Sequence, residues 1–302
     1  MSPLVEPVVY RLNGNYFVFS PISSLMTLPS LKPIGVFDSG LGGLTVLHSI
    51  NERLPGLSTI YLGDNANAPY GVKSFEEIFQ YTLAGVRFLF SQGCPLVILA
   101  CNSASAQALR KIQQEVLPKE FPDRRVIGVI RPTVEYLVEA TDVKKIGVFA
   151  TPATVSSQTY VEEFKNILAE SLREIELFQV ACPGLVDIVE AGLSDSPEAD
   201  ELVQKYCQNF SGDLALLGCT HYPFLETWFK KNLPVSTRVV LQGPVVAEKF
   251  EDYLVRHPEI DNFLKKSGER IYFTTGDLEA VSASTSRFYK GKINWLKASL
   301  SS

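Results

Sequence analysis

The stretch Pro95-Leu-Val-Ile-Leu-Ala-Cys-Asn-Ser-Ala-Ser105 decides the fold class of this chain. Its first six residues form an uninterrupted apolar run, which is typical of a strand buried on both faces of a parallel sheet. Small polar residues follow the run directly and lead into a predicted helix from about residue 104 to residue 115. A buried strand that passes through a polar turn into a helix predicts an α/β fold.

The same order of strand and helix recurs on both sides of this stretch. Strands are predicted at 34–37, 59–62, 95–100, 126–130, 145–150, 176–180, 214–218 and 239–242. Helices are predicted at 44–51, 74–91, 104–115, 133–140, 156–172 and 245–257. This alternation predicts mostly parallel sheets that are covered by helices on both faces. The residues after 277 give no clear pattern.

Two short motifs occur twice at almost the same spacing. Lys32-Pro-Ile-Gly-Val-Phe37 resembles Lys144-Lys-Ile-Gly-Val-Phe149, which begins 112 residues later. Ala100-Cys-Asn102 resembles Gly218-Cys-Thr220, which begins 118 residues later. The repeat predicts two pseudo-symmetric lobes, each a mostly parallel sheet flanked by helices. Ligands of open α/β sheets bind beyond the carboxyl ends of the strands, so we expect an active site in the cleft between the lobes.

Composition excludes several classes of protein. The 302 residues carry a net charge of -5 and no basic stripe, so we expect no nucleic-acid partner. No apolar run approaches the roughly 20 residues that a membrane span needs, so we expect no membrane partner. Five cysteines without a Cys-x-x-Cys pair, and three scattered histidines, favour free thiols over disulfides or a metal site. Free thiols indicate a cytoplasmic protein.

Residues 1–32 differ from the rest because they show short apolar stretches and no helical period. We expect them to form a poorly ordered N-terminal extension. Met26 is the only internal methionine and lies just before the first predicted strand of the repeat. Two interpretations follow: residues 1–25 are upstream read-through before a natural start at Met26, or they are a regulatory arm.

Polar residues follow the carboxyl ends of the predicted strands in both halves. They are Asp38-Ser39, Gly63-Asp64, Cys101-Asn-Ser103, Thr151 and Cys219-Thr-His221. If the lobes face each other, two thiols oppose across one cleft, and a thiolate and a thiol suit the inversion of a stereocentre by proton transfer. Each cysteine precedes a helix, whose amides lower the pKa of a thiol from about 8.5.

Each of these residues also has a structural interpretation. Cys94, Cys182 and Cys207 are interpreted as small buried apolar residues, which is the ordinary role of a lone cysteine. Asp38 could simply cap the following helix, and His221 could be a hydrogen-bonded structural histidine. The glycines at 40, 42 and 43 resemble a phosphate-binding turn but lack the lysine and spacing of a P-loop.

Five motifs in a fixed order resemble the glutamate racemases of the aspartate/glutamate racemase superfamily. They are Gly35-Val-Phe-Asp-Ser-Gly-Leu-Gly-Gly43, Gly63-Asp-Asn-Ala-Asn-Ala-Pro-Tyr-Gly71, Ala100-Cys-Asn-Ser-Ala104, Thr151-Pro-Ala-Thr154 and Gly218-Cys-Thr-His-Tyr-Pro223. The resemblance covers about residues 33–255. It implies cofactor-independent racemisation of L- and D-glutamate by two bases, without pyridoxal phosphate.

The resemblance also implies residue roles. Cys101 would take the α-proton of D-glutamate and Cys219 that of L-glutamate, assisted by Asp38 and His221. Glu190 matches a family carboxylate near the second cysteine. The residues that would hold the substrate are Asp38, Ser39, Pro69, Tyr70, Gly71, Asn102, Ser103, Thr151, Thr220 and His221.

The family further implies a homodimer that supplies D-glutamate for peptidoglycan. The family fold packs the C-terminal segment on the first lobe. The resemblance therefore predicts a first lobe of residues 33–131 plus 241–302 and a second lobe of residues 132–240. Three departures from the family pattern affect local contacts and dimer geometry: Ser103 for a usual threonine, Arg131-Pro132 for Glu-Pro, and Leu241-Gln-Gly-Pro244 for an acidic or serine-containing turn. The alternatives are an aspartate racemase and a non-catalytic two-lobed binder of small acidic ligands.

Overall fold

The computed structural model describes residues 8–12, 15–19, 32–140, 142–169 and 173–300. The chain divides into two compact units, residues 1–31 and residues 32–302. In the first unit, β1 (Val8–Leu12) and β2 (Asn15–Phe19) pair antiparallel. The expected N-terminal extension therefore contains a hairpin. The expectation of poor order in its other residues, and of a natural start at Met26, falls outside the described residues.

The described part of the second unit contains two parallel sheets. Their strands are β3 (Ile34–Asp38), β4 (Thr59–Gly63), β5 (Leu96–Leu99), β6 (Arg125–Gly128), β7 (Lys145–Ala150), β8 (Glu176–Ala181), β9 (Leu214–Gly218), β10 (Arg238–Leu241), β11 (Arg270–Thr274) and β12 (Trp295–Lys297). The larger sheet has the order β12-β11-β4-β3-β5-β6 and the smaller has the order β10-β9-β7-β8.

The two sheets share one strand order. Numbered as they appear along the chain, the first four strands of each sheet lie in the order second, first, third, fourth. The repeated strand motifs fall on β3 and β7, and the strands that precede the two cysteines are their neighbours β5 and β9. The predicted fold class, two α/β halves built on parallel sheets, is confirmed.

Helices cover both sheets. They are α1 (Leu44–Arg53), α2 (Phe75–Ser91), α3 (Asn102–Gln107), α4 (Leu109–Lys111), α5 (Leu117–Glu120), α6 (Ile130–Glu139), α7 (Pro152–Ser156), α8 (Thr159–Leu168), α9 (Leu185–Glu190), α10 (Pro197–Cys207), α11 (Glu226–Asn232), α12 (Gln242–Arg256), α13 (Pro258–Asp261) and α14 (Leu278–Phe288). A π-helical turn spans Ile112–Val116, and 3₁₀ turns span Tyr70–Val72 and Tyr222–Leu225. None of the described helices is long and apolar enough to cross a membrane.

Two predicted helices are interrupted. The predicted helix at 104–115 is divided into α3, α4 and the π-helical turn. The predicted helix at 156–172 begins earlier, as α7, and restarts as α8 after Gln158, whose φ of 58° is left-handed and ends a right-handed helix. By contrast α2 starts where expected, because Ser74 and Glu77 form a reciprocal capping box.

The C-terminal residues are structured, although their sequence gave no clear pattern. β11 joins the outer edge of β4, and β12 joins β11, so both extend the larger sheet. α12 packs on α1 through one apolar core that includes Leu47, Ile50, Val246 and Phe250. The lobe boundaries at 131–132 and 240–241 stay predictions.

Candidate active site

Cys101 and Cys219 line one small cavity, because β5 and β9 end just before them. The cavity volume is about 20 Å³, room for about one water molecule. The lining residues are Ser39, Pro69, Tyr70, Gly71, Cys101, Asn102, Ser103, Thr151, Val186, Cys219, Thr220 and His221. They come from both halves of the second unit. Among these described lining residues, none is a lysine or an arginine.

Cys101 is the N-cap residue of α3, and its Sγ donates to Ser39 Oγ at 3.5 Å. Burial and the nearby Asp38 charge raise the pKa of the Cys101 thiol to about 12. Hydrogen bonds from the Ala104 backbone N–H and with Ser39 lower the pKa by less. The helix amide lowers the pKa of Cys101 as expected, but loss of hydration outweighs it, so the expected net fall of this pKa is wrong. Cys101 is a thiol at neutral pH.

Cys219 lies beside a histidine–carboxylate pair. Its Sγ is 4.0 Å from His221 Nδ1, and His221 Nε2 is 2.6 Å from Glu190 Oε1. Burial lowers the pKa of His221, but the hydrogen bonds with Cys219 and Glu190 raise it more, to about 10. This raised pKa favours the imidazolium form of His221 at neutral pH, with its Nδ1 4.0 Å from the Cys219 sulfur.

Asp38 is fully buried and bonds to Thr220, one of the residues that line the cavity. Its Oδ2 accepts the Gly40 N–H at 3.0 Å, and its Oδ1 accepts the Thr220 hydroxyl at 3.3 Å. Burial raises the pKa of Asp38, while the charge of His221 and the backbone donors oppose this rise. Asp38 therefore connects the turn after β3 to Thr220 and His221 rather than only capping a helix.

Gly42 has no room for a side chain. A Cβ built on it would lie 2.5 Å from both His221 Nδ1 and Thr220 Oγ1. The absence of a Cβ therefore lets the turn after β3 contact the turn after β9. Gly42, one of the three glycines that resembled a phosphate-binding turn, therefore has a packing role.

Tyr70 is held by a buried carboxylate. Its hydroxyl donates to Asp64 Oδ2 at 2.6 Å, and Asp64 Oδ1 also accepts from Thr275 Oγ1 at 2.6 Å. Burial and the Asp64 charge raise the pKa of Tyr70 well above its usual range. Tyr70 is therefore a neutral phenol whose ring forms part of the cavity wall.

Hydrogen bonds join the two halves at the cavity. Ser103 Oγ and Thr151 Oγ1 are 2.9 Å apart, and each follows a strand of a different sheet. Asn102 Nδ2 donates to Gln242 Oε1 at 2.6 Å, and Asn102 Oδ1 accepts from Tyr160 at 2.9 Å. The side chain of Asn102, expected to hold substrate, is thus itself anchored by Gln242 and Tyr160.

Nine of the ten residues expected to hold substrate line the cavity, and the tenth, Asp38, is buried and bonds to the lining residue Thr220. Glu190 reaches the site through His221. Sequence reasoning missed Val186, Tyr160 and Gln242, because no motif marks them. Within the described ranges, no group of three or more His, Cys, Asp or Glu side chains is arranged to hold a metal ion.

The fold and the site together define a class of two-lobed α/β proteins that carry a pair of thiols between similar halves. Comparison with known families assigns the chain to a family of this class. The model described as Asp/Glu/hydantoin racemase matches residues 34–247. The chain belongs to this family and is an isomerase.

Its relatives are named glutamate racemases. One from Paracoccus denitrificans is 42% identical over 280 residues, which cover 88% of this chain and 99% of that protein. The structure of an isoform from Bacillus anthracis has a TM-score of 0.80 at 31% identity and covers 89% of this chain and 98% of that one. The enzyme from Francisella tularensis, solved with D-glutamate, has a TM-score of 0.77 at 27% identity, over 89% and 97% of the two chains.

Proposed function

We propose that this chain interconverts L- and D-glutamate by two-base proton transfer between Cys101 and Cys219. The observation that carries the proposal is that both thiols line one cavity, each at the end of a strand of a different sheet. The named substrate of the relatives supports glutamate. No observation favours aspartate or a purely binding role.

In the L-to-D direction, the Cys219 thiolate takes the α-proton, and the electron pair stays on the substrate as a carbanion conjugated with its carboxylate. The Cys101 thiol then donates its proton to the opposite face of Cα. Cys101 is protonated at neutral pH and is therefore ready to donate. The cycle leaves Cys219 as the thiol and Cys101 as the thiolate, and D-glutamate reverses these roles.

The carbanion needs donors near the substrate carboxylate, because negative charge develops there. The hydroxyls of Ser39, Ser103, Thr151 and Thr220 line the cavity and can supply neutral hydrogen bonds. The imidazolium of His221 supplies the positive charge among the lining residues. Glu190 acts through His221, and Asp38 acts through Thr220 and the charge of His221.

Substrate entry requires the cavity to widen, because a glutamate is far larger than one water molecule. The Ser103–Thr151 hydrogen bond joins the two halves at the cavity lining, so separating the halves at this point breaks it and frees both hydroxyls for the substrate. Water-free closure around the substrate then strengthens every electrostatic interaction in the site. A cytoplasmic homodimer that uses no cofactor and supplies peptidoglycan synthesis remains the associated prediction.

The test is a racemisation assay by circular dichroism on L- and D-glutamate and on aspartate, without added cofactor. Deuterium incorporation at Cα in heavy water follows the same reaction. We expect both glutamate enantiomers to react, and Cys101→Ser and Cys219→Ser each to lower kcat/KM by about 100- to 10,000-fold, the usual contribution of an acid–base group.

Cys94→Ala is the matched control, since Cys94 is a buried thiol in the first half that does not line the cavity. It should keep nearly full activity. Absence of exchange with either glutamate enantiomer in the wild-type protein would sink the proposal, as would full activity in both serine variants. Preferential turnover of aspartate would correct the substrate.

A further inference from the structure

The C-terminal end of α14 reaches the histidine–carboxylate pair beside Cys219. Arg287 Nη1 donates to the backbone carbonyl of Glu190 at 2.6 Å. Glu190 is the last residue of α9, so this cation lies at the helix C-terminus, where the carbonyl groups concentrate negative charge. The contact fixes the backbone of the residue whose carboxylate contacts His221.

Phe288 contacts the imidazole itself. Its ring meets the His221 ring edge-on, with centroids 5.6 Å apart and planes at 82°. It also meets Phe224, which lies just beyond His221 in the chain, at 5.1 Å and 80°. Phe288 is buried, so it excludes water from one side of the imidazole and restricts the orientation of the ring.

α14 is anchored to the larger sheet. Asp277 caps its first turn by accepting the Ala280 N–H, and Trp295 of β12 donates to Thr285 Oγ1 at 2.8 Å. Cys219 and His221 follow β9 of the smaller sheet. One element tied to the larger sheet therefore holds the acid–base partners of the thiol that belongs to the smaller sheet.

We propose that Arg287 and Phe288 are positioning residues for the His221–Glu190 pair, so that α14 controls proton transfer at Cys219 and leaves transfer at Cys101 largely untouched. The proposal rests on the two-base racemisation proposed above. Contacts to Cys101 come instead from Ser39, Ala104 and the Asp38 charge, none of which belongs to α14.

The rate of racemisation alone cannot reveal which thiol is affected. The two enantiomers have equal free energies, so kcat/KM must stay equal in the two directions for every variant. Isotope effects can distinguish the thiols, because the α-hydrogen of L-glutamate leaves to Cys219 and that of D-glutamate leaves to Cys101. Slowing only the Cys219 step makes it rate-limiting in both directions.

The experiment therefore compares glutamate carrying hydrogen or deuterium at Cα, for each enantiomer separately, in Phe288→Leu and Arg287→Met. We expect kcat/KM to fall about 10- to 100-fold, as for a small misplacement of a catalytic group. The substrate deuterium isotope effect on kcat/KM should rise for L-glutamate and fall for D-glutamate relative to the wild type.

Phe250→Leu is the matched control. Phe250 lies in the same apolar core on α12, and its ring contacts Tyr253 rather than His221. We expect this variant to lose stability while keeping the wild-type isotope effects in both directions. Urea unfolding of all three variants shows whether they are folded to a similar extent under the assay conditions.

Isotope effects that change equally for both enantiomers, or not at all, in folded variants would overturn the proposal for α14 and leave the racemisation intact. The same pattern in Phe250→Leu as in Phe288→Leu would also overturn it, since general loosening would then explain the data. Failure of the wild-type protein to exchange either α-proton would instead remove the racemisation itself.

Discussion

At the scale of single residues, the site depends on a position that has no side chain. Gly42 lets the turn after β3 approach His221 Nδ1 and Thr220 Oγ1 so closely that a Cβ would lie 2.5 Å from each. Both atoms belong to residues that contact the proposed acid–base groups, since His221 contacts Cys219 and Thr220 donates to Asp38. An added methyl group must therefore displace functional side chains.

We expect Gly42→Ala to lower kcat/KM for glutamate about 100-fold, because misplacing catalytic groups by an ångström has an effect of that size. The racemisation assay measures it. Gly56→Ala is the control, since nothing lies within 4 Å of the corresponding Cβ. It should leave activity unchanged and keep or slightly increase stability. Equal activity in the two variants would show that His221 and Thr220 tolerate the displacement.

At the scale of secondary-structure elements, Gln242 joins the start of α12 to three other helices. Its side chain bonds with Asn102 at the start of α3, with Thr133 of α6 at 3.1 Å and with the Tyr160 hydroxyl of α8 at 3.0 Å. It is almost fully buried, so its partners cannot turn to water when it is removed. Residues 241–244, which depart from the family pattern and form the junction of β10 with α12, thus supply a buried polar connection.

We expect Gln242→Leu to lower the free energy of unfolding by about 2–3 kcal/mol, because it leaves the buried Asn102 side-chain N–H without its acceptor and removes the bonds that Gln242 donates to the Thr133 and Tyr160 hydroxyls. Urea denaturation gives the value. The control is Gln113→Leu, which removes one bond from an exposed glutamine to the Val126 carbonyl and should cost about 1 kcal/mol or less. A loss for Gln242→Leu no larger than for Gln113→Leu would contradict this account.

A strand can be predicted from the sequence when every one of its residues is buried. β3 and β9 are buried at every position, so their apolar runs stand out. β11 alternates partly buried and buried residues and begins with Arg270, and β12 has one buried residue in three. β12 is the edge strand of the larger sheet and β11 is its neighbour, and their incomplete burial weakens the apolar pattern, which is why the C-terminal residues gave no signal.

The residues of the candidate site likewise fall into those that the sequence predicts and those that it does not. Cys101 and Cys219 are recognisable because each directly follows a buried strand. Gln242 and Phe288 reach the site only through tertiary packing, and the bond between Gln242 and Asn102 spans 140 residues of sequence. The pKa of Cys101 was expected to fall and instead rises, because sequence shows the helix start but not the degree of burial.

At the scale of the whole molecule, the buried thiols couple stability to pH. Burial raises the pKa of Cys94 and Cys207, like that of Cys101, from about 9 to about 12. Below about pH 9 each thiol keeps its proton in both the folded and the unfolded chain. Between about pH 9 and 12 the unfolded chain releases the proton and the folded protein keeps it. The contribution of these thiols to the free energy of unfolding is therefore complete below about pH 9 and is lost as the pH rises through this window.

Comparison of the wild type with Cys94→Ala isolates one thiol from the lysines and tyrosines that titrate in the same range. We expect the difference in free energy of unfolding between the wild type and Cys94→Ala to fall by about 1.4 kcal/mol between pH 8 and pH 10. This value corresponds to the release of one proton on unfolding over the one pH unit above pH 9. Urea denaturation at the two pH values measures the difference. A constant difference would mean that Cys94 ionises equally in both states.

The strand order that the two sheets share has a geometric consequence for a reaction between mirror images. A rotation that exchanged the sheets would also exchange the thiols and turn over the planar intermediate that we propose forms between them. Such a rotation necessarily interchanges at least two of the carboxylate, amino and side-chain substituents. Two identical halves therefore could not hold one intermediate for both thiols. The asymmetry is visible here in Asp38 near Cys101, His221 beside Cys219, and the strands β11 and β12 on one sheet.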